Sequence, residues 1–303
     1  MALLNLIRYK NLLIIAAVQI LIKYFLFEPF GITVMLNGFG LFLLILSTIC
    51  LAAAGYIIND VYDVETDLIN KPNKVIVGKA ISEKQANRLF VLFNIIGVAV
   101  GFYLSHLVGK SNFFRLFVII SATLYVYASY LKQLPFVGNV VISILVGLSV
   151  LIVPIFDLIP AITSANRETQ ITLFEIVLDY AIFAFLINLI REMVKDLEDV
   201  DGDYKAGMNT LPIAIGRERA TKLAFIVSLL PVFAVVYYML TYLYKHNIAI
   251  IYFLLFVIAP LLYSSIKLFT ASQKSHYSHI SKILKIAMIF GMGSMILYKY
   301  ILL

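Results

Sequence analysis

Long apolar runs broken by short polar connectors dominate this chain from end to end. They fall near 11–27, 36–58, 89–108, 113–131, 137–156, 173–190, 221–243, 247–267 and 283–303. Each is close to the ~20 residues that an α-helix needs to cross a hydrocarbon core about 30 Å thick. In lipid the backbone must satisfy its own hydrogen bonds, so runs of this length fold as helices. The pattern predicts an all-α membrane protein of nine transmembrane helices. The third and fourth are separated only by Gly109-Lys110-Ser111-Asn112. The first run opens soon after Met1 and continues without a small-residue cleavage site, so it reads as a retained span and not as a signal peptide.

Composition supports this picture. Hydrophobic residues make up 62% of the chain and charged residues 14%, with a mean hydropathy of +0.97; soluble domains are roughly one-quarter charged. At 303 residues, the spans leave no room for a sizeable soluble domain, and residues 1–303 read as one polytopic unit. The single cysteine, Cys50, sits inside an apolar run. It is expected to pack as a small hydrophobe, and it excludes a disulfide framework or a zinc-type cluster.

Basic residues set the orientation. Counting alternate connectors as one side, all the lysines and arginines fall on the N-terminal side except Lys23, Lys110, Arg115, Arg167, Lys245 and Lys299. The positive-inside rule then puts the N-terminus in the cytoplasm. The formal charge of +7 follows from topology and from attraction to anionic membrane lipids. No nucleic-acid partner is expected.

Against this background the acidic residues stand out. The pattern Asp-x-x-Asp-x-x-x-Asp occurs twice, as Asp60/Asp63/Asp67 and as Asp196/Asp199/Asp203, each where an apolar run ends on the cytoplasmic side. Positions i, i+3 and i+7 return to within about 60° on an α-helix, so each triad aims three carboxylates one way. Carboxylates that close repel and raise one another's pKa unless a cation compensates. Magnesium suits such a set, because it takes hard oxygen ligands and is commonly shared between carboxylates and substrate phosphates. Calcium loops of the EF-hand type need a different spacing. Gly202 is expected to weaken the second helix, leaving Asp203 on a loop.

Basic side chains accompany the acids, as a phosphorylated ligand requires, since outer phosphoryl oxygens seek charged donors. Arg191 and Lys195 are spaced i, i+4 on the face that Asp199 continues. Lys71 and Lys74 follow Asp67 in an Asn-Lys-Pro-Asn-Lys loop, Lys132 closes the fourth span, and Arg8 and Asn11 open the first. Tyr56, Tyr62, Tyr125, Tyr127 and Tyr130 lie near this polar mouth in sequence and are candidates to line a cavity. His106, His246, His276 and His279 stand apart from the acid clusters, and none is expected to be catalytic.

These residues resemble the UbiA superfamily of intramembrane prenyltransferases. The resemblance rests on Asn59-Asp60-x-x-Asp63-x-x-x-Asp67 with the Ile69-Asn70-Lys71-Pro72 loop and Gly78. It rests equally on Arg191-Glu192-x-x-Lys195-Asp196-x-x-Asp199-x-x-x-Asp203, followed by Gly207, Thr210-Leu211-Pro212 and Gly216. It covers essentially the whole chain. One departure is visible: many members continue with arginine and proline after Lys-Pro-x, whereas this chain has Lys74-Val75. The resemblance implies nine transmembrane helices around a central cavity with cytoplasmic cap loops. It also implies that the six aspartates are catalytic and hold Mg2+ against the diphosphate of a prenyl donor, with Asn59, Lys71, Lys74, Lys132, Arg191, Lys195, Arg8 and Asn11 binding substrate.

Ionisation of an allylic diphosphate creates charge that metal ions neutralise. The allylic cation must then be shielded from water by an apolar, aromatic-lined space. The wording of both motifs is most similar to members that transfer geranylgeranyl to geranylgeranylglyceryl phosphate, a small lipophilic acceptor. Prenylation of an aromatic quinone precursor, 4-hydroxybenzoate or dihydroxynaphthoate, is the second reading, and haem or chlorophyll prenylation the third. A secondary transporter is the competing class, but transporters place coupling carboxylates near the bilayer midplane. Here the acids sit at helix ends.

Overall fold

The computed structural model describes residues 1–301. Among these, nine helices are long and apolar enough to cross a membrane: α1 (Tyr9–Phe30), α2 (Gly38–Tyr62), α3 (Glu83–Leu107), α4 (Ser111–Ser129), α5 (Val137–Ala161), α6 (Arg167–Lys205), α7 (Arg217–Leu243), α8 (Asn247–Phe269) and α9 (Lys274–Tyr300). One falls on each apolar run read from the sequence. The largest difference is α6, expected over 173–190 but 39 residues long. At 1.5 Å per residue it measures ~58 Å, about twice the hydrocarbon thickness. Its C-terminal turns therefore project beyond the lipid.

The helix ends follow local chemistry. Asn37 caps α2 by accepting the Gly40 N–H, and Ser82 with Gln85 forms a reciprocal capping box at the start of α3, each satisfying donors that a helix N-terminus leaves free. Gly101 lets α3 pack tightly on α4, since a Cβ there would sit 2.3 Å from the Phe117 ring. Apolar surface does not drive helices together in lipid, so close approach at small residues matters more than in water.

The nine helices are not equivalent. α1, α2, α4, α5, α6 and α9 surround a central cavity, while α3, α7 and α8 contribute no lining residue. α3 packs along α2, and α7 and α8 pack on α6 and α9. At the end of the bundle away from the aspartates, the loop after α1 is strapped down by a buried ion pair. Lys23 Nζ lies 2.9 Å from Asp157 Oδ2 and donates to the Leu36 carbonyl at 2.6 Å, while Asp157 Oδ1 accepts the Leu36 N–H at 2.7 Å. Both side chains are almost fully excluded from solvent. Breaking such a pair from one side strands a charge, which typically costs about 3–5 kcal/mol.

Candidate active site

The first triad is built at a break in the chain. α2 ends at Tyr62, Asp63 adopts φ −93°, ψ 3°, and a short helix, Val64–Asn70, carries Asp67 onward. The expectation of three acids on one continuous helix is therefore corrected. The bend replaces helical periodicity as the device that aims them, and all three still line the central cavity. The second triad behaves in the opposite way. α6 runs unbroken to Lys205, so Asp203 is a buried helical residue and not a loop residue.

Asn70 explains why Gly202 does not end α6. Its side-chain Oδ1 accepts the Gly202 N–H at 3.0 Å and its Nδ2 donates to the Asp199 carbonyl at 2.8 Å. A Cβ on residue 202 would meet Asn70 Nδ2 at 2.3 Å. The glycine is thus a seat for a neighbouring side chain, and that strut holds the two motifs at one end of the bundle.

Ion pairs complete the junction. Lys71 Nζ lies 2.5 Å from Asp199 Oδ2, and Lys132 Nζ lies 2.5 Å from Asp63 Oδ1 with Asn59 Oδ1 at 3.4 Å. Asn59 also donates to Asp63 at 2.5 Å. Asn139 donates to Asp196 at 2.9 Å. It stands in the first turn of α5, just after Phe136, which takes a left-handed φ of 66°. Non-glycine residues rarely do so, and such strain concentrates at functional sites.

The only other described non-glycine residue with positive φ is Arg8, at 50°. Its guanidinium pairs with Asp60 at 2.9 Å and lies over the Tyr56 ring, 4.8 Å from the centroid. Asn11 donates to the Tyr56 hydroxyl and accepts from Lys285 Nζ at 2.6 Å. Arg191 donates to the Ser281 carbonyl and approaches Asn188, and Lys195 pairs with Glu192 at 2.6 Å. Lys74 lines the cavity beside Val75.

All fourteen residues singled out from the sequence therefore line one cavity of about 830 Å³. Its mouth is charged; its depths, between α1, α2, α4 and α5, are lined by side chains such as Ile14, Leu51, Ile120, Leu145 and Ile152. Of the five tyrosines, Tyr56 and Tyr127 reach it. Tyr62 and Tyr125 meet through their hydroxyls outside it, and Tyr130 is exposed. No histidine lines it. Sequence reasoning missed Asn139, Glu192 and Lys285 as lining residues and Asn70 as the strut. Glu192 and Asn70 stood inside the quoted motifs, whereas Asn139 and Lys285 carried no local signal.

Burial and repulsion act together on Asp67. Desolvation, and then the nearby Asp63 carboxylate, push its pKa up to about 6. Lys71 moves in the stabilising direction: burial would lower it, but Asp199 holds the ammonium charged. Among the described residues no three acidic, histidine or cysteine side chains close into a finished metal nest, because lysines stand between them. The donor set nonetheless fits a hard cation. Asp199 Oδ1 is buried without a hydrogen-bond partner, and such an orphaned carboxylate oxygen is costly unless something binds it. All the available ligands are oxygens.

Comparison with known proteins matches the UbiA prenyltransferase family over residues 24–289. The chain belongs to that family. This UbiA-family enzyme, a multi-pass membrane prenyltransferase, is 31% identical over 263 residues to the digeranylgeranylglyceryl phosphate synthase of Methanosphaera stadtmanae, covering 83% of this chain and 88% of that one. A solved structure described as a digeranylgeranylglyceryl phosphate synthase in membranes aligns over 97% of this UbiA-family chain and 98% of the other, with a TM-score of 0.64 and 24% identity. A UbiA homologue from Archaeoglobus fulgidus bound to DMAPP and Mg2+ aligns over 98% and 99%, with a TM-score of 0.56 and 19% identity.

Proposed function

We propose that this enzyme transfers a geranylgeranyl group from its diphosphate to geranylgeranylglyceryl phosphate, with Mg2+ held by the six aspartates. The observation that carries this reading is the cavity itself: two acid triads and their lysines converge on its mouth, while its depths are apolar enough for an isoprenoid tail. The synthase from Methanosphaera supports the acceptor, and the homologue bound to DMAPP and Mg2+ supports the donor class and the metal. Basic-residue asymmetry assigns the mouth and N-terminus to the cytoplasm; an N-terminal reporter fusion active only inside the cell would agree.

Magnesium at the aspartates supplies positive charge to a leaving diphosphate. The chain's own residues do the rest. Lys71 gives one donor to Asp199 and Lys132 gives one to Asp63 and a longer one to Asn59, so each keeps at least one for outer phosphoryl oxygens. Asn59 orients Asp63 through a side-chain hydrogen bond. The carbon–oxygen bond of the donor breaks in a space from which apolar walls exclude water, and the Tyr127 ring that lines it supplies cation–π attraction to the allylic cation that results. The acceptor hydroxyl attacks that carbon to form an ether, and its proton passes to a cavity carboxylate or to the departing diphosphate.

Membranes supplied with labelled geranylgeranyl diphosphate and competing acceptors test this. Label is expected in the diether phosphate. Transfer to 4-hydroxybenzoate or dihydroxynaphthoate instead would move the assignment to quinone synthesis. Asp63→Ala and Asp199→Ala are each expected to abolish magnesium-dependent diphosphate release while the protein stays membrane-inserted; unaltered turnover would refute the metal assignment.

A further inference from the structure

The cavity mouth carries charge of both signs, in two differently connected groups. The five motif aspartates other than Asp60 line it with Lys71, Lys74 and Lys132, an excess of two negative charges, and Lys71 and Lys132 are paired with Asp199 and Asp63. The remaining charged lining residues form a cationic flank: Arg8 and Lys195 pair with Asp60 and Glu192, while Arg191 and Lys285 leave an excess of two positive charges. On α6, Arg191 lies about 140° around the helix from Asp196 but only about 80° from Asp199, so the cationic group is defined by its contacts and not by helix face alone.

The cationic flank is one connected structure. Arg8 stacks on Tyr56, whose hydroxyl is held by Asn11, which in turn accepts from Lys285. Lys285 is one turn beyond Ser281, whose carbonyl holds Arg191. Both hydrogen-bond partners of the Arg191 guanidinium are neutral, the Ser281 carbonyl and the Asn188 amide, so no carboxylate occupies its donors. Asp60 and Glu192 pair with Arg8 and Lys195, which leaves Arg191 and Lys285 as a partly buried surplus of like charge that an added anion would offset.

We propose that this flank, Arg8, Arg191, Lys195 and Lys285, binds the phosphate monoester of the acceptor, a subsite separate from the donor diphosphate and resting on the prenyl-transfer reading above. A phosphate monoester carries about −1.5 to −2 charge near pH 7, which matches the surplus, whereas an aromatic carboxylate would neutralise half of it. The free edge of Arg191 is suited to two-pronged contact with phosphoryl oxygens. With its phosphate fixed here, the acceptor presents its hydroxyl between the two groups, towards the carbon that the donor releases.

The test measures binding to the full-length, detergent-solubilised protein without turnover. The ligands are a labelled alkylglyceryl phosphate, the matching alkylglycerol, 4-hydroxybenzoate and a non-ionising thio analogue of geranylgeranyl diphosphate. The phosphate is expected to bind about tenfold or more tighter than the alcohol. Arg191→Met and Lys285→Met should each weaken it by about tenfold, the loss expected for a charge-assisted contact. Lys285→Arg should restore most of it, and the donor analogue should lose several-fold less than the acceptor. Equal binding of alcohol and phosphate, tighter binding of 4-hydroxybenzoate, or an equal loss falling on the donor analogue overturns the subsite. Elution as a monodisperse species separates these outcomes from misfolding. Diphosphate release by the unaltered enzyme is read separately, so its absence counts against prenyl transfer and unselective binding counts against the subsite.

Discussion

Asp67 shows what a single residue concedes to function. Its carboxyl is raised to about 6 by burial and by Asp63, against roughly 3.9 for a free aspartate. The folded protein therefore holds this proton more tightly than the unfolded chain does. The destabilising charge is absent below about pH 4, grows between about 4 and 6, and is complete above about 6. In magnesium-free buffer at pH 7.5, Asp67→Asn is expected to raise the melting temperature, and the gain should vanish towards pH 4. In the unaltered enzyme, the rise in melting temperature on adding magnesium should shrink as pH falls through about 6, because protonation removes a ligand. Thermal unfolding with and without the ion reads both, and turnover by the variant should fall at every pH. The acids were legible in the sequence because their repeated spacing has few other uses. Lys285 was not: its contact with Asn11 joins the two ends of the chain and arises only when α9 packs against α1.

At the scale of elements, the decisive joint is the one between the Val64–Asn70 helix and α6. The spacing of the acids showed that both motifs aim inward, yet it misplaced both supports, expecting a continuous helix at Asp63 and a fraying one at Gly202. Propensity failed at Gly202 for a definite reason. A glycine costs a helix about 1 kcal/mol relative to alanine, and here the missing Cβ is the space in which Asn70 sits. Gly202→Ala, which would stabilise an isolated helix, is expected to destabilise this protein and to lower diphosphate release about tenfold or more by pushing the motifs apart. Asn70→Ala removes the obstacle, so the double variant should be more stable than Gly202→Ala alone while remaining poorly active. Melting temperatures of the three proteins measure that coupling. A double variant no more stable than Gly202→Ala would show that the glycine serves some other purpose.

The whole molecule combines a charged mouth with an apolar limb between α1, α2, α4 and α5. From Asp60 to Thr48 along α2 is twelve residues, ~18 Å at 1.5 Å each. At that depth the buried side chain of Gln19 donates to Thr48 Oγ1 and to the Ser149 carbonyl, tying α1, α2 and α5 together. The nine spans were readable in the sequence because each apolar run carries its own signal. The tie made by Gln19 was not, since a lone glutamine in an apolar segment says nothing about which helices it will join. If the limb receives the isoprenoid tail, its depth should select chain length. Ser149 tests this cleanly: it lines the cavity, and its hydroxyl bonds only to the Val146 carbonyl of its own helix. Enlarging it breaks no tie between helices, and the Gln19 bond to the Ser149 backbone survives. Ser149→Phe is expected to lower turnover of geranylgeranyl diphosphate relative to geranyl diphosphate, which has half the isoprene units, by about tenfold, in line with the 1–3 kcal/mol that overfilling a packed space costs. Competition between the two donors in one reaction measures the ratio directly. An unchanged ratio in a stably folded variant would mean that the tail leaves the cavity by another route, between helices and into the lipid.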